Sequence, residues 1–451
     1  MASASSRLPS RLSNPPSVEF DQSNQPVRIP IVIPVNTLRI VLVWVAILGA
    51  TEIGCQAADA AVGSPLPLWS EGCLDIHHIN TGRGETAFLI LPDGTTLLVD
   101  AGAAPPEAGW STPPKPDGAR SAGEWIARYI AHMLQRFPEK RIDQAVISHF
   151  HIDHMGAISA KSPVSSSGAY QLGGLTEIAE HIPIRRLFDR NWPEYNWPLP
   201  LVDLKMQNYR KFIDWESTHR GMRVERVEAG RNDQIGLVRN KSRFPEFEIR
   251  NIAVNGHVWT GVGSVSRNHF PALSALPKTN YPAENKCSIA LRISYGKFDY
   301  FTGGDLDVRD VEIANPSDQW KDIERPVAMA TGPVEVYKVN HHANYDASSP
   351  FFLSVLRPKV SVASTWGASQ PAMSVHRRLL STHTYPGHRD VFYTNMMEAT
   401  LSALHIDRTK TPAGHVVVRV TPGGGEFFVY VLDDTDESYR IKAVFGPYRS
   451  D

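Results

Sequence analysis

From residue 74 onward the apolar positions fall into short runs with the two-residue alternation of strands, interrupted by stretches with helical spacing. LDIHHIN and TAFLILPDGTTLLVDAG read as three strands, the last two joined at Asp93-Gly94, where glycine supplies the backbone freedom a hairpin needs. In SAGEWIARYIAHMLQRF, Ser121 and Glu124 form a capping box, and Ile126, Ile130, Met133 and Phe137 recur at helical spacing. DQAVIS is a short apolar strand that runs into SHFHIDHMG, so His149 and its neighbours lie at a strand's carboxyl end, where α/β sheets build their sites.

Residues 157–245 are less regular. LTEIAEHI predicts a helix and IRRLFD a strand, and Trp192, Tyr195, Trp197, Tyr209, Phe212 and Trp215 fall in a segment read as an insertion near the site. FEIRNIAVNG resumes strand character, SIALRISYGKFDYFTGGD is a hairpin running to Asp305, and VEVYKVNHH is a strand that ends in histidines. SSPFFLSVLRP and SVHRRLLST predict helices around the strand KVSVAS. GHVVVRV and EFFVYVLDD close the chain, with TPGGGE between them as a turn rather than a nucleotide loop.

The chain has 451 residues, 42% of them hydrophobic, which is ample for a large α/β core; its 34 prolines and 32 glycines imply many loops. Lys plus Arg (46) nearly cancels Asp plus Glu (47), so overall charge points to no polyanion or acidic membrane surface. Residues 1–36 are rich in Ser, Pro and Asn without periodicity and are expected to be disordered. The apolar run IVLVWVAILGA is too short to span a bilayer comfortably, and small residues around Ala58 and Ala60 fit a signal-peptidase site. The expectation is therefore a leader over 1–60, an exported protein without a stable membrane span once the leader is cleaved, and one domain over 61–451. That domain carries a C-terminal α/β extension from about residue 366. Uncleaved, the leader would act as an anchor. Cys73 and Cys287 fit either a single bridge or two separate buried thiols.

The chemistry concentrates in SHFHIDHMG. Borderline metals such as zinc take imidazole nitrogen and carboxylate oxygen at roughly 2.0–2.3 Å, and His149, His151, Asp153 and His154 offer four such groups from one turn. In an extended segment His149 and His151 point the same way and can hold one metal, while the turn after Ile152 sends Asp153 and His154 toward a second. Asp305, after Gly303-Gly304, can bridge two cations, and His341 or His342 can complete the second.

INTGRGETAFLILPDGTTLLVDAG, ISHFHIDHMG, NKCSIALRISYGKFDYFTGGD and VYKVNHHA follow one another in the order of the metallo-β-lactamase superfamily. The chain resembles most its branch typified by the extracellular domain of competence-type DNA-uptake channels. The resemblance covers about residues 74–365. It implies an αββα four-layer sandwich and two divalent metal ions, zinc by the family pattern. His149 and His151 would hold the first ion, and Asp153, His154 and His342 (or His341) the second. Asp305 would bridge them, and Asp100 would brace the ligand turn from behind. Many members carry a third histidine for the first metal; here Asn285 stands at that hairpin start, with His257 the nearest histidine alternative. Oxygen-type ligands there would shift preference toward Mn or Mg.

Two cations sharing a water bring its pKa near neutrality and polarise the scissile bond, which places Asp153 and Asp305 in the reaction centre of a metal-assisted hydrolase. No Ser-His-Asp arrangement competes. A phosphodiester or other phosphoester is the favoured substrate, with a lactone, β-lactam or thioester as the alternative, and a metal-binding protein with little activity as a third reading. A nuclease-like action on nucleic acid stays open, but the charge pattern does not support it, because Arg185, Arg186, Arg190, Lys205, Arg210 and Lys211 are interleaved with Asp189, Glu194, Asp203, Asp214 and Glu216. His77, His78, His376, His383 and His388 are read as structural or solvent-facing.

Overall fold

The structure is a computed structural model that describes residues 60–105, 110–308, 314–407 and 413–451. The expected leader therefore lies outside the described residues, apart from Ala60. Among the described residues, seventeen strands follow in chain order. They are β1 (Leu74–His78), β2 (Ala87–Ile90), β3 (Thr96–Val99), β4 (Ile142–Val146), β5 (Ile184–Asp189), β6 (Arg223–Arg226), β7 (Phe247–Val254), β8 (His257–Trp259) and β9 (Ser266–Asn268). After them come β10 (Ala290–Tyr295), β11 (Phe298–Thr302), β12 (Val336–Lys338), β13 (Val360–Ala363), β14 (Asp390–Tyr393), β15 (His415–Val420), β16 (Glu426–Leu432) and β17 (Ile441–Arg449).

They form two sheets. One runs β17-β16-β15-β1-β2-β3-β4-β5-β6 and the other β14-β13-β12-β11-β10-β7-β8-β9. Each is antiparallel on one side and becomes parallel on the other, from β3 to β6 in the first and from β11 to β14 in the second. Parallel strands inside the sheets, such as β3 (TLLV) and β13 (VSVA), are buried along their whole length, as cover on both faces requires. In β3, Leu97 and Val99 enter the layer between the sheets, while Leu98 faces the helices outside.

Between the sheets, Leu74, Ile76, Leu89 and Leu97 pack with Ile249, Leu291, Ile293 and Val336. Outside the first sheet, Phe88 and Leu187 meet Ile126, Ile130, Ile178 and Phe212 of helices 122–133, 175–181 and 204–220. Outside the second, Phe301 and Tyr337 meet Val327, Phe352, Leu353 and Val375 of helices 324–331, 350–356 and 373–380. Each buried Leu, Ile or Val contributes roughly 1.5–3 kcal/mol, so these three cores hold the αββα sandwich together.

Residues 157–245 are built into this sandwich, since β5 and β6 extend the first sheet and helix 204–220 covers it. Residues beyond 366 do the same, with β14 in one sheet and β15–β17 in the other. The capping expectation holds in half: the Ser121 hydroxyl accepts from the Glu124 N–H, but the Glu124 carboxylate pairs with Arg120. Cys287 is a buried free thiol, so it makes no bridge to Cys73. No helix among the described residues is long and apolar enough to cross a membrane.

Across β1 and β15, fully buried Asp75 and Arg419 pair through two hydrogen bonds of 2.6 and 2.7 Å. Asp75→Ala would leave that guanidinium buried without a counter-charge, and we expect chemical denaturation to show a loss of about 3–5 kcal/mol. A change below ~1 kcal/mol would show that water or a neighbouring group takes the charge.

Candidate metal centre

The parallel halves of both sheets end at one edge. There β3 leads to Asp100, β4 to the 148–154 turn, β11 to Asp305, and β12 to His341 and His342. His151 is extended (φ −85°, ψ 155°) and caps a single helical turn, Ile152–Met155. The change from extended to helical backbone sends the two halves of the motif in different directions. Glycine permits the tight packing behind it: a Cβ on Gly102 would lie 2.0 Å from the Asp153 carbonyl oxygen.

Asp305 is 1% exposed and sits in the middle. Its Oδ2 lies 3.7 Å from His149 Nε2, 3.8 Å from His341 Nε2 and 3.6 Å from His342 Nε2, while Oδ1 lies 3.1 Å from His154 Nε2. His149 Nε2 and His151 Nδ1 are 3.1 Å apart, as are His154 Nε2 and His342 Nε2, and Asp153 Oδ2 is 3.2 Å from His342 Nε2. Ligand atoms on one ion with bonds of roughly 2.0–2.1 Å are spaced by about 3.0–3.4 Å, so the separations of 3.1–3.2 Å suit a shared cation and those of 3.6–3.8 Å are slightly wider. Asp305 Oδ1 is buried without a hydrogen-bond partner among the described residues, as is Asn285 Oδ1. The donor set therefore fits divalent metal on both sides of Asp305.

The ring atoms opposite these nitrogens are held. His154 Nδ1 donates to Asp100, His342 Nδ1 to the Ser364 carbonyl and His341 Nδ1 to Asp346, at 2.7–2.9 Å. Each bond fixes a tautomer and aims Nε2 at the centre, the support that metal-binding histidines require. Asp100, in a left-handed conformation (φ 62°), also accepts from the Ser148 N–H and hydroxyl at 2.7 Å. It thereby ties the ends of β3 and β4 to His154.

Two supports were not anticipated from sequence. Glu284 accepts from the Phe150 N–H, between His149 and His151, and from fully buried Arg190. Glu85 lies 3.6 Å from His342, yet both its oxygens are engaged by the buried Lys338 ammonium at 2.7 and 2.8 Å. Lys338 also donates to the Gly304 carbonyl, so this pair positions the turn before Asp305 more than it offers a ligand. Nothing in the sequence marked Glu85 as such a support, and Lys338 only stands three residues before His341.

Burial and neighbouring charges hold His149 well below the ordinary imidazole range, and burial also lowers His151. Both are thereby biased toward the neutral form, which presents lone pairs. Around the other half, burial is outweighed. The Asp305 charge and hydrogen bonds donated to Asp153 and Asp305 push His342 up to about 10, and the Asp305 and Asp100 charges raise His154. Asp153, despite burial, is held at about 2 by the His342 hydrogen bond and the imidazole charges.

His257 is exposed and lines a cavity of about 960 Å³ with Trp192, Trp197 and Arg226, to which none of the clustered histidines contributes. His77 bonds Tyr129 and His376 bonds Tyr393, His388 pairs with Asp390 at the surface, and buried His78 is pushed down to about 3 by desolvation.

Residues 80–160, which include Asp100 and the whole HxHxDH turn, match the metallo-β-lactamase superfamily. With its two sheets and flanking helices, the chain has a sandwich of the metallo-β-lactamase type. Among solved structures, one from Parabacteroides distasonis ATCC 8503, described as a "Putative metal-dependent hydrolase", is similar over 72% of this chain and 93% of that one, with 11% identity and a TM-score of 0.34. No curated protein matches the chain.

His342 is raised above its unfolded value of 6.5, so its contribution to the metal-free fold is complete below pH 6.5 and is lost as pH rises through about 10. Melting of chelator-treated protein should fall across that window, and His342→Gln should flatten the profile. A profile unchanged by that substitution would contradict the assignment. A second expectation concerns Asp100→Asn, which should weaken metal affinity about 10–100-fold with the fold intact by circular dichroism. Unchanged affinity would remove Asp100 from the site's support.

Proposed function

We propose that the chain is a hydrolase dependent on two divalent metal ions, zinc or, at the first position, Mn or Mg, that cleaves a phosphodiester or other phosphoester. The observation that carries this reading is the placement of Asp305 between the His149–His151 pair and the Asp153–His154–His342 group. Two bound cations would supply an activated water and clamp the attacking and leaving oxygens of an in-line displacement, which suits phosphoryl transfer. The residues' own part is to keep His149 and His151 neutral, to aim His154 and His342 through Asp100 and the Ser364 carbonyl, and to hold Asp305 between both groups.

The competence-type branch remains our reading of the motif order. The substrate we favour is a small phosphodiester rather than a nucleic acid. Arg186 pairs with Glu225, Arg190 with Glu284, Lys205 with Asp203 and Arg220 with Glu216, which leaves little positive track for a polyanion. Export through the 1–60 leader is part of the same proposal. A lactone, β-lactam or thioester is the second reading, supported by exposed Ile152 within the motif and by Trp366, whose ring lies 6.0 Å from that of His342.

The metal-loaded protein should hydrolyse bis-(p-nitrophenyl) phosphate, and His151→Ala should lower that rate by more than the roughly 10–100-fold typical of outer-shell changes. Turnover of a lactone panel without phosphodiester turnover would favour the second reading. Metal binding without turnover of either would leave a binding protein, and hydrolysis unaffected by His151→Ala would refute the site.

A further inference from the structure

We infer that His341 and His342 both act as metal ligands, one on each ion, so that His341 fills the place left at the first ion by the absence of a third histidine near Asn285. The inference rests on the two-metal reading above.

Adjacent residues in a strand point to opposite faces, and two neighbouring histidines would ordinarily diverge. Here the backbone turns left-handed at His341, after β12 and the two residues that follow it. His341 has φ 45° and ψ 45°, His342 has φ 52° and ψ 27°, and Ala343 has φ 60°. Three consecutive non-glycine residues in this region are rare, and such strain persists where the surrounding structure enforces it. Its result is convergence: both Nε2 atoms reach the same Asp305 oxygen, at 3.8 and 3.6 Å.

The two rings face different halves of the site. His342 Nε2 lies with Asp153 and His154, at 3.2 and 3.1 Å. His341 Nε2 lies instead 3.3 Å from Asn285 Nδ2, on the residue at the predicted position of the missing histidine. Its Nδ1 donates to Asp346 at 2.7 Å, a carboxylate–histidine arrangement that aims the opposite nitrogen at a metal and raises its basicity. Asp307 and Asp346 also lie close to His341, but Asp307 is paired with the buried Lys286 ammonium, so this trio is not a separate site. Asn285 Oδ1, buried and unpartnered, could add an oxygen on the same side.

The test is titration of the metal-stripped full-length protein with Mn²⁺ and Zn²⁺ by calorimetry, with metal content after desalting measured by mass spectrometry. Wild type should take up two equivalents. His341→Ala should retain one, and Asp346→Asn should keep two while weakening one of them about 10–100-fold. Two equivalents with unchanged affinities in His341→Ala would overturn the inference and leave the two-metal reading standing. Fewer than two in wild type would refute that reading itself. Should His341→Ala fail to fold by circular dichroism, Asp346→Asn decides: affinities equal to wild type would overturn the assignment.

Discussion

The site depends on how a buried negative charge is compensated. Asp305 is held at 1% exposure between four imidazole nitrogens, in a place where an unpaired carboxylate would be costly. Without metal, the neighbouring imidazoles of His154, His342 and His341 hold Asp305 well below the ordinary carboxylate range despite its burial. Divalent cations would do the same with their own charge. The fold has accordingly assembled a set of groups whose electrostatics favour positive charge at that point, and His149 and His151, held below the ordinary imidazole range, leave one side open to it.

Such a set survives only if its members cannot relax apart. The sandwich provides this by ending two pairs of parallel strands at one edge, β3 with β4 and β11 with β12. Asp100 links the first pair to His154, and Lys338 links Glu85 on one sheet to Gly304 on the other. Arg190 and Glu284 hold the backbone between His149 and His151. Left-handed Asp100, His341, His342 and Ala343 each carry a conformational cost of roughly 1–2 kcal/mol. The three apolar cores offset it, and the strain lies where the side chains must converge.

Much of this was legible in the chain. Short apolar runs marked β1–β4 and a period of two marked β10–β11, and the density of ligand-type groups in SHFHIDHMG marked one half of the centre. The elements missed were those whose pattern is mixed. Helix 204–220 buries Met206, Tyr209, Phe212 and Ile213 at helical spacing, but its aromatic content suggested an irregular insertion. β17 is a strand at a sheet end containing Gly446-Pro447, which weakens a strand pattern. Within the site, the convergence of His341 and His342 could not be read from adjacency, because it depends on a left-handed turn at non-glycine residues. Nor could Glu284 and Lys338, since buried ion pairs look like ordinary surface charges until the fold encloses them.

The most direct measurement is anomalous diffraction from crystals grown with Zn²⁺ or Mn²⁺. The account predicts two peaks flanking Asp305, one beside His149 and His151 and the other beside Asp153, His154 and His342. No anomalous density at Asp305, or a single ion on one side of it at saturating metal, would contradict it.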